Sequence, residues 1–155
     1  MLRSKTLSER KDTLKKDVII KVRGLQPNVD AAEAIEVIST GTYLRKGNTH
    51  YLSYEEADED GKLTKNRIKI TEETLEMVKQ GSITTQMFFE VGQKQYTCYS
   101  TPFGDMMLGI TTNRLHTSEE DGKLSVCLMY GLEINEAYMS ECELNIEVKE
   151  TGLLH

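Results

Sequence analysis

The chain has 155 residues, with 25 Asp or Glu against 19 Lys or Arg, a formal net charge of −6 at pH 7. One ordinary domain of this length buries about 70% of the surface its unfolded form exposes, so it needs neither disulfide nor metal to fold. The charge is uneven: residues 1–16 carry net +4 and the remainder net −10, an acidic body that disfavours nucleic acid and anionic membrane as partners.

At the N-terminus, Arg3, Lys5, Glu9, Arg10 and Lys11 interrupt any apolar run, so the segment does not read as a secretory signal. It reads as a basic, flexible arm over 1–16 that precedes a single domain over 17–150 and a short tail over 151–155. The longest apolar runs, Val18-Ile19-Ile20 and Met106-Met107-Leu108, are far below a membrane span, which makes cytoplasm the expected location. Cys98, Cys127 and Cys142 are odd in number, widely spaced and without a C-x-x-C pair. They are expected as small fillers of strands, with no disulfide framework and no zinc site.

Period-two alternation predicts strands near 17–24, 32–46, 49–57, 62–70, 74–80, 83–91, 94–101, 104–113, 123–131 and 134–149. Lys46-Gly47-Asn48, Gln80-Gly81-Ser82 and Gly92-Gln93 supply turn residues that tolerate positive φ. Glu-Asp-Gly-Lys-Leu occurs at 59–63 and again at 120–124, and both copies read as Asp-Gly hairpin turns. A calcium loop fails there, because Arg67 or Leu128 would stand where a bidentate glutamate is required. The alternation is cleanest at the C-terminus. Tyr138, Ser140, Cys142, Leu144, Ile146 and Val148 share one parity, while Glu141, Glu143, Glu147 and Lys149 share the other.

Short connections between successive strands mean antiparallel neighbours, and a sheet of some ten strands must curl or split. The expected fold is therefore all-β, an antiparallel up-and-down meander closed into a barrel of about 8–10 strands, with a two-sheet sandwich as runner-up.

Several motifs carry a family likeness. Gly81, Met87, Phe89 and Gly92 are followed by Tyr99-Ser100-Thr101-Pro102-Phe103-Gly104-Asp105, Thr111 and the stretch from Gly122 to Tyr130. Gly41-Thr42-Tyr43 and Tyr51-Leu52-Ser53-Tyr54-Glu55-Glu56 fit upstream. With these residues the chain, over roughly 17–150, resembles the YwiB-like bacterial family, which implies a calycin-type, lipocalin-like barrel. The resemblance supplies no activity, and no cofactor is expected. Two positions depart from the family's pattern: Lys79, where arginine is frequent, and Cys142, where asparagine is frequent. With no Trp, the chain also lacks the opening signature of lipocalins proper.

No catalytic constellation is visible. His50 and His116 have no ligand spacing around them, and the acidic run Glu55-Glu56-Ala57-Asp58-Glu59-Asp60 ends in a solvated turn. Tyr54, Phe89, Tyr130 and Tyr138 share parity with apolar neighbours and are expected to line the barrel. Phe103 and Asp105 join them as candidate lining residues, although an outward or rim position for Asp105 is the better expectation. The functional expectation is a non-enzymatic, monomeric or homodimeric barrel that binds a small apolar or amphipathic molecule. The alternative is a structural or interaction module with a filled core, acting through its outer faces or its basic arm.

Overall fold

The computed structural model describes residues 15–25, 35–81, 84–101 and 103–151, so the predicted arm (but for Lys15 and Lys16) and residues 152–155 lie outside the described residues. Ten strands account for nearly all of it: β1 Lys16–Leu25, β2 Ile35–Lys46, β3 Thr49–Ala57, β4 Leu63–Ile70, β5 Thr74–Gln80, β6 Thr84–Glu90, β7 Lys94–Thr101, β8 Gly104–Glu120, β9 Lys123–Ile134 and β10 Ala137–Glu150. Among the described residues no helix is long and apolar enough to cross a membrane.

Every pairing is antiparallel, in the order β6-β5-β4-β3-β2-β1-β10-β9-β8-β7. The first strand pairs with the last, Val18 standing opposite Glu150 and Val22 opposite Ile146. The sheet's two edges are β6 and β7, which are consecutive in the chain and joined only by Val91–Gln93. A sheet whose edge strands are tied by three residues must curl on itself. The fold is thus an up-and-down barrel, nearly closed, with its seam between β6 and β7. The β6–β7 turn is fastened across to β8, the Gly92 amide donating to the Thr112 carbonyl at 3.0 Å.

The turns follow from local chemistry. Gly47, Gly61, Gly92 and Gly122 hold positive φ, and Asp121 at φ 50° completes the two-residue hairpin at the second Asp-Gly. Asp58 closes the first, its carboxylate accepting from the amides of Asp60 and Lys62 at 2.9 and 2.8 Å.

The inward positions form one continuous core that includes Ile20, Leu52, Ile68, Leu75, Phe89, Ile110, Leu128 and Ile146. Burying each such side chain contributes about 1.5–3 kcal/mol. Two irregularities change the face that a residue presents, and sequence alternation cannot foresee them. One lies between Thr112 and Arg114, where Asn113 is the extra residue and β8 then continues to Glu120. The polar stretch after 113, expected to lie beyond the strand, is therefore strand. The other lies between Tyr138 and Ser140.

The meander gives the barrel two distinct ends. Lys16, Glu150 and the turns after β2, β4, β6 and β8 are at one, called here the terminal end. The starts of β2, β4, β8 and β10 are at the other.

Candidate functional site

Midway along the barrel, Tyr54 of β3 stands opposite Asn66 of β4, while Thr112, Tyr130 and Cys142 form a row across β8, β9 and β10. The Phe89 and Tyr130 rings meet at 4.9 Å between centroids and 60° between planes, an edge-to-face contact. Burial, with Glu56 adding, pushes the Tyr54 hydroxyl up to about 12. Burial also raises Tyr130, and neighbouring Cys142 reinforces it. Both phenols therefore stay protonated. Asn66 and Thr112 are almost wholly buried, yet Asn66 Oδ1 and Thr112 Oγ1 have no hydrogen-bond partner among the described residues.

The terminal end holds a charged mouth. Register places Lys16 opposite Tyr43, Arg45 opposite His50 and Glu119 opposite Leu124, all on inward positions. They surround a cavity of about 390 Å³ with a floor of Val18, Leu124 and Val148 and walls that include Lys16, Tyr43, Arg45, Glu119 and Glu150. The turn Glu120–Lys123 forms its rim. Lys16 Nζ pairs with Glu150 at 2.8 Å, and Arg45 Nη1 pairs with Glu119 at 3.1 Å. These pairs are half-exposed, so each contributes little to stability. Their value is positional: they fix two cations and two carboxylates around an apolar floor.

His50 is the buried histidine of this end, 6% exposed. Its Nδ1 lies 2.7 Å from the Tyr43 hydroxyl, which donates when the ring carries its proton on Nε2, and the two rings stack at 5.9 Å. Burial holds His50 below its ordinary pKa, Glu119 opposes this and Arg45 assists it. A smaller hollow of about 180 Å³ shares Arg45 and Glu119 and adds His50, Asn48 and Thr117. Thr117 Oγ1 there is buried without a partner among the described residues.

Of the predicted lining residues, the structure brings Tyr54, Phe89 and Tyr130 inward. It does not bring the other three. Phe103 sits in the β7–β8 turn and is 99% exposed, because the chain reverses there. Asp105 is exposed and pairs with Ser100 on the outward parity, as the rim expectation had it. Tyr138 lies outward, opposite Glu133, because the bulge after it reverses its parity relative to Ser140, and its hydroxyl donates to Glu141 at 3.2 Å. The cysteines divide too: Cys142 fills the core as expected, Cys127 is half-buried and Cys98 is exposed on the outer face. Among the described residues no three His, Cys, Asp or Glu are grouped to hold a metal ion.

A family model described as "Domain of unknown function (DUF1934)" matches residues 20–146. The chain belongs to the DUF1934 family. A curated relative, "Uncharacterized beta-barrel protein YwiB" of Bacillus subtilis (strain 168), is 27% identical over 104 residues, spanning 67% of this chain and 72% of the relative. The crystal structure of the YwiB protein from Bacillus subtilis superposes with a TM-score of 0.71 at 22% identity, covering 88% of this chain and 92% of that one. That likeness confirms the barrel.

In this DUF1934 barrel the residues that sequence reasoning missed are those of the mouth. Lys16 and Glu150 are 134 residues apart, and Arg45 and Glu119 are 74 apart. Only the pairing of first strand with last brings the former together. A signal existed in the meander itself, since a closed barrel obliges β1 and β10 to meet.

Proposed function

We propose that this DUF1934 chain is a non-catalytic, cytoplasmic binding barrel that takes a small amphipathic molecule, charged or zwitterionic at its head, into the mouth at the terminal end. The observation that carries this reading is the cavity of about 390 Å³ in which an apolar floor of Val18, Leu124 and Val148 meets fixed charges of both signs. Its size falls within the usual range for small-molecule pockets, and a few placed polar groups over an apolar surface are what orient such ligands. Lys16 and Arg45 suit a carboxylate, while Glu119 and Glu150 suit an ammonium group. The outward row Glu141, Glu143, Glu147 and Lys149 supports a water-facing exterior.

Native mass spectrometry of the freshly purified chain tests this reading. A small-molecule adduct is expected on the wild type and is expected to vanish in Leu124→Arg, which puts a charge on the floor. An unliganded mass, or an adduct retained by that variant, would count against it.

The second reading is an interaction module. It is favoured by Ile35, Leu63 and Tyr138, large apolar side chains exposed near the opposite end. Light scattering that shows a strict monomer over a broad concentration range would remove its self-association form.

A further inference from the structure

The outer face of the barrel carries a second groove, remote in character from the mouth. It lies across β2 to β5 with a volume of about 550 Å³. Cross-strand register builds it in two rows: Leu44, Tyr51, Lys69 and Glu76 in one, Thr42, Ser53, Arg67 and Val78 in the next. The inward core is untouched by these side chains, which all stand on the outward parity.

Its charge runs against that of the molecule. The chain is net −6, yet this groove is lined by Lys15, Arg67 and Lys69 against the single carboxylate of Glu76. Glu76 already accepts from Gln86 Nε2 at 3.3 Å. Among the described residues the ion pairs are made by Lys16, Lys21, Arg45, Lys94 and Lys123, so none of the groove's cations is neutralised by a carboxylate within 4.0 Å. Lys69 Nζ rests instead over the Tyr51 ring, 5.9 Å from its centroid. Unneutralised cations brought together repel one another, and an arriving anion relieves that repulsion. Arg67 presents the planar fork that matches carboxylate or phosphate oxygens, with the Ser53 hydroxyl on the adjacent strand and that of Thr42 one strand further as additional donors. Tyr51, Leu44 and Val78 add a flat apolar surface for the rest of the ligand.

We propose that this groove is a binding site for a small organic anion, an aromatic or apolar body bearing a phosphate or carboxylate group, with Arg67 and Lys69 holding the anion and Tyr51 packing against the body. The site is separate from the mouth and does not depend on the reading given to it.

Amide NMR spectra of the full chain, titrated with phenyl phosphate and with benzoate, test the proposal, and benzyl alcohol serves as the uncharged control. Saturable shifts at Ser53, Arg67 and Lys69 are expected with at least one of the two anions, and the stronger of the pair identifies the headgroup. Arg67→Gln and Lys69→Gln are exposed substitutions that leave the fold intact, each expected to weaken binding roughly tenfold, while Lys149→Gln on the outward row of β10 leaves it unchanged. The absence of shifts with both anions, equal shifts with benzyl alcohol, or undiminished binding in the double variant would overturn it.

Discussion

The ring of Phe89 in β6 lies edge-on against Tyr130 in β9, 4.9 Å away, joining strands near the two sides of the open seam through the interior. Among the described residues no hydrogen-bond ladder links β6 to β7, so away from the Val91–Gln93 turn side-chain packing has to hold the sheet curled. Phe89→Ala is therefore expected to cost about 3–5 kcal/mol, because it removes a fully buried ring and its partner's contact together. Urea denaturation measures this; a loss below about 1 kcal/mol would show that the seam is held by something else.

Gly41 leaves no room for a side chain between β2 and its neighbours. A Cβ there would meet the Ser53 carbonyl oxygen, and would lie 2.8 Å from Ile20 Cδ1 and 2.9 Å from Tyr54 Cβ. Gly41→Ala is expected to destabilise by about 3 kcal/mol, since a backbone carbonyl cannot step aside as a flexible side chain can. A calorimetric midpoint within about 2 °C of wild type would contradict the packing described.

His50 makes stability depend on pH. Its folded pKa lies below the unfolded value of 6.5, so below that value the unfolded chain binds more protons than the folded one. Stability is then fully present above pH 6.5 and is lost as the pH falls toward the lowered folded value. His50→Gln keeps a polar partner for Tyr43 and removes the titration. Melting temperatures across pH 5 to 8 are expected to fall less steeply on the acid side in this variant; identical slopes would remove His50 as the cause.

Thr112 buries a hydroxyl with no partner among the described residues. Thr112→Val replaces it by a methyl of the same shape, so it is expected to be neutral or to stabilise by up to about 1 kcal/mol. Equilibrium denaturation decides: a clear destabilisation would mean that the hydroxyl makes a hydrogen bond in solution.

The strands were legible because alternation and turn chemistry agree along most of the chain. Val18, Ile20, Leu52, Ile68 and Ile146 are core in the structure for the same reason that they alternate in the sequence. Tyr138 shows where that reading ends. One bulge turns it from the inward face to the outward one, and a bulge leaves no mark in residue hydrophobicity. Phe103 shows a second limit, since strand alternation says nothing of a residue in the turn itself, where the reversal of the chain leaves the ring exposed. The mouth was illegible for a different reason: its charges come from strands far apart in the chain and meet only through closure of the sheet. Asn135 and Glu136, both at positive φ without a glycine, likewise moved the last turn beyond its predicted place.

The proposal that the barrel binds a ligand is tested most directly by titrating the full chain with 2-aminooctanoate, a zwitterion with an apolar tail, while following its amide NMR spectrum. Saturable shifts centred on Lys16, Arg45, Glu119 and Leu124, lost in Leu124→Arg, are the result this account predicts. A spectrum unchanged up to saturating probe, or shifts distributed away from the terminal end, would contradict it.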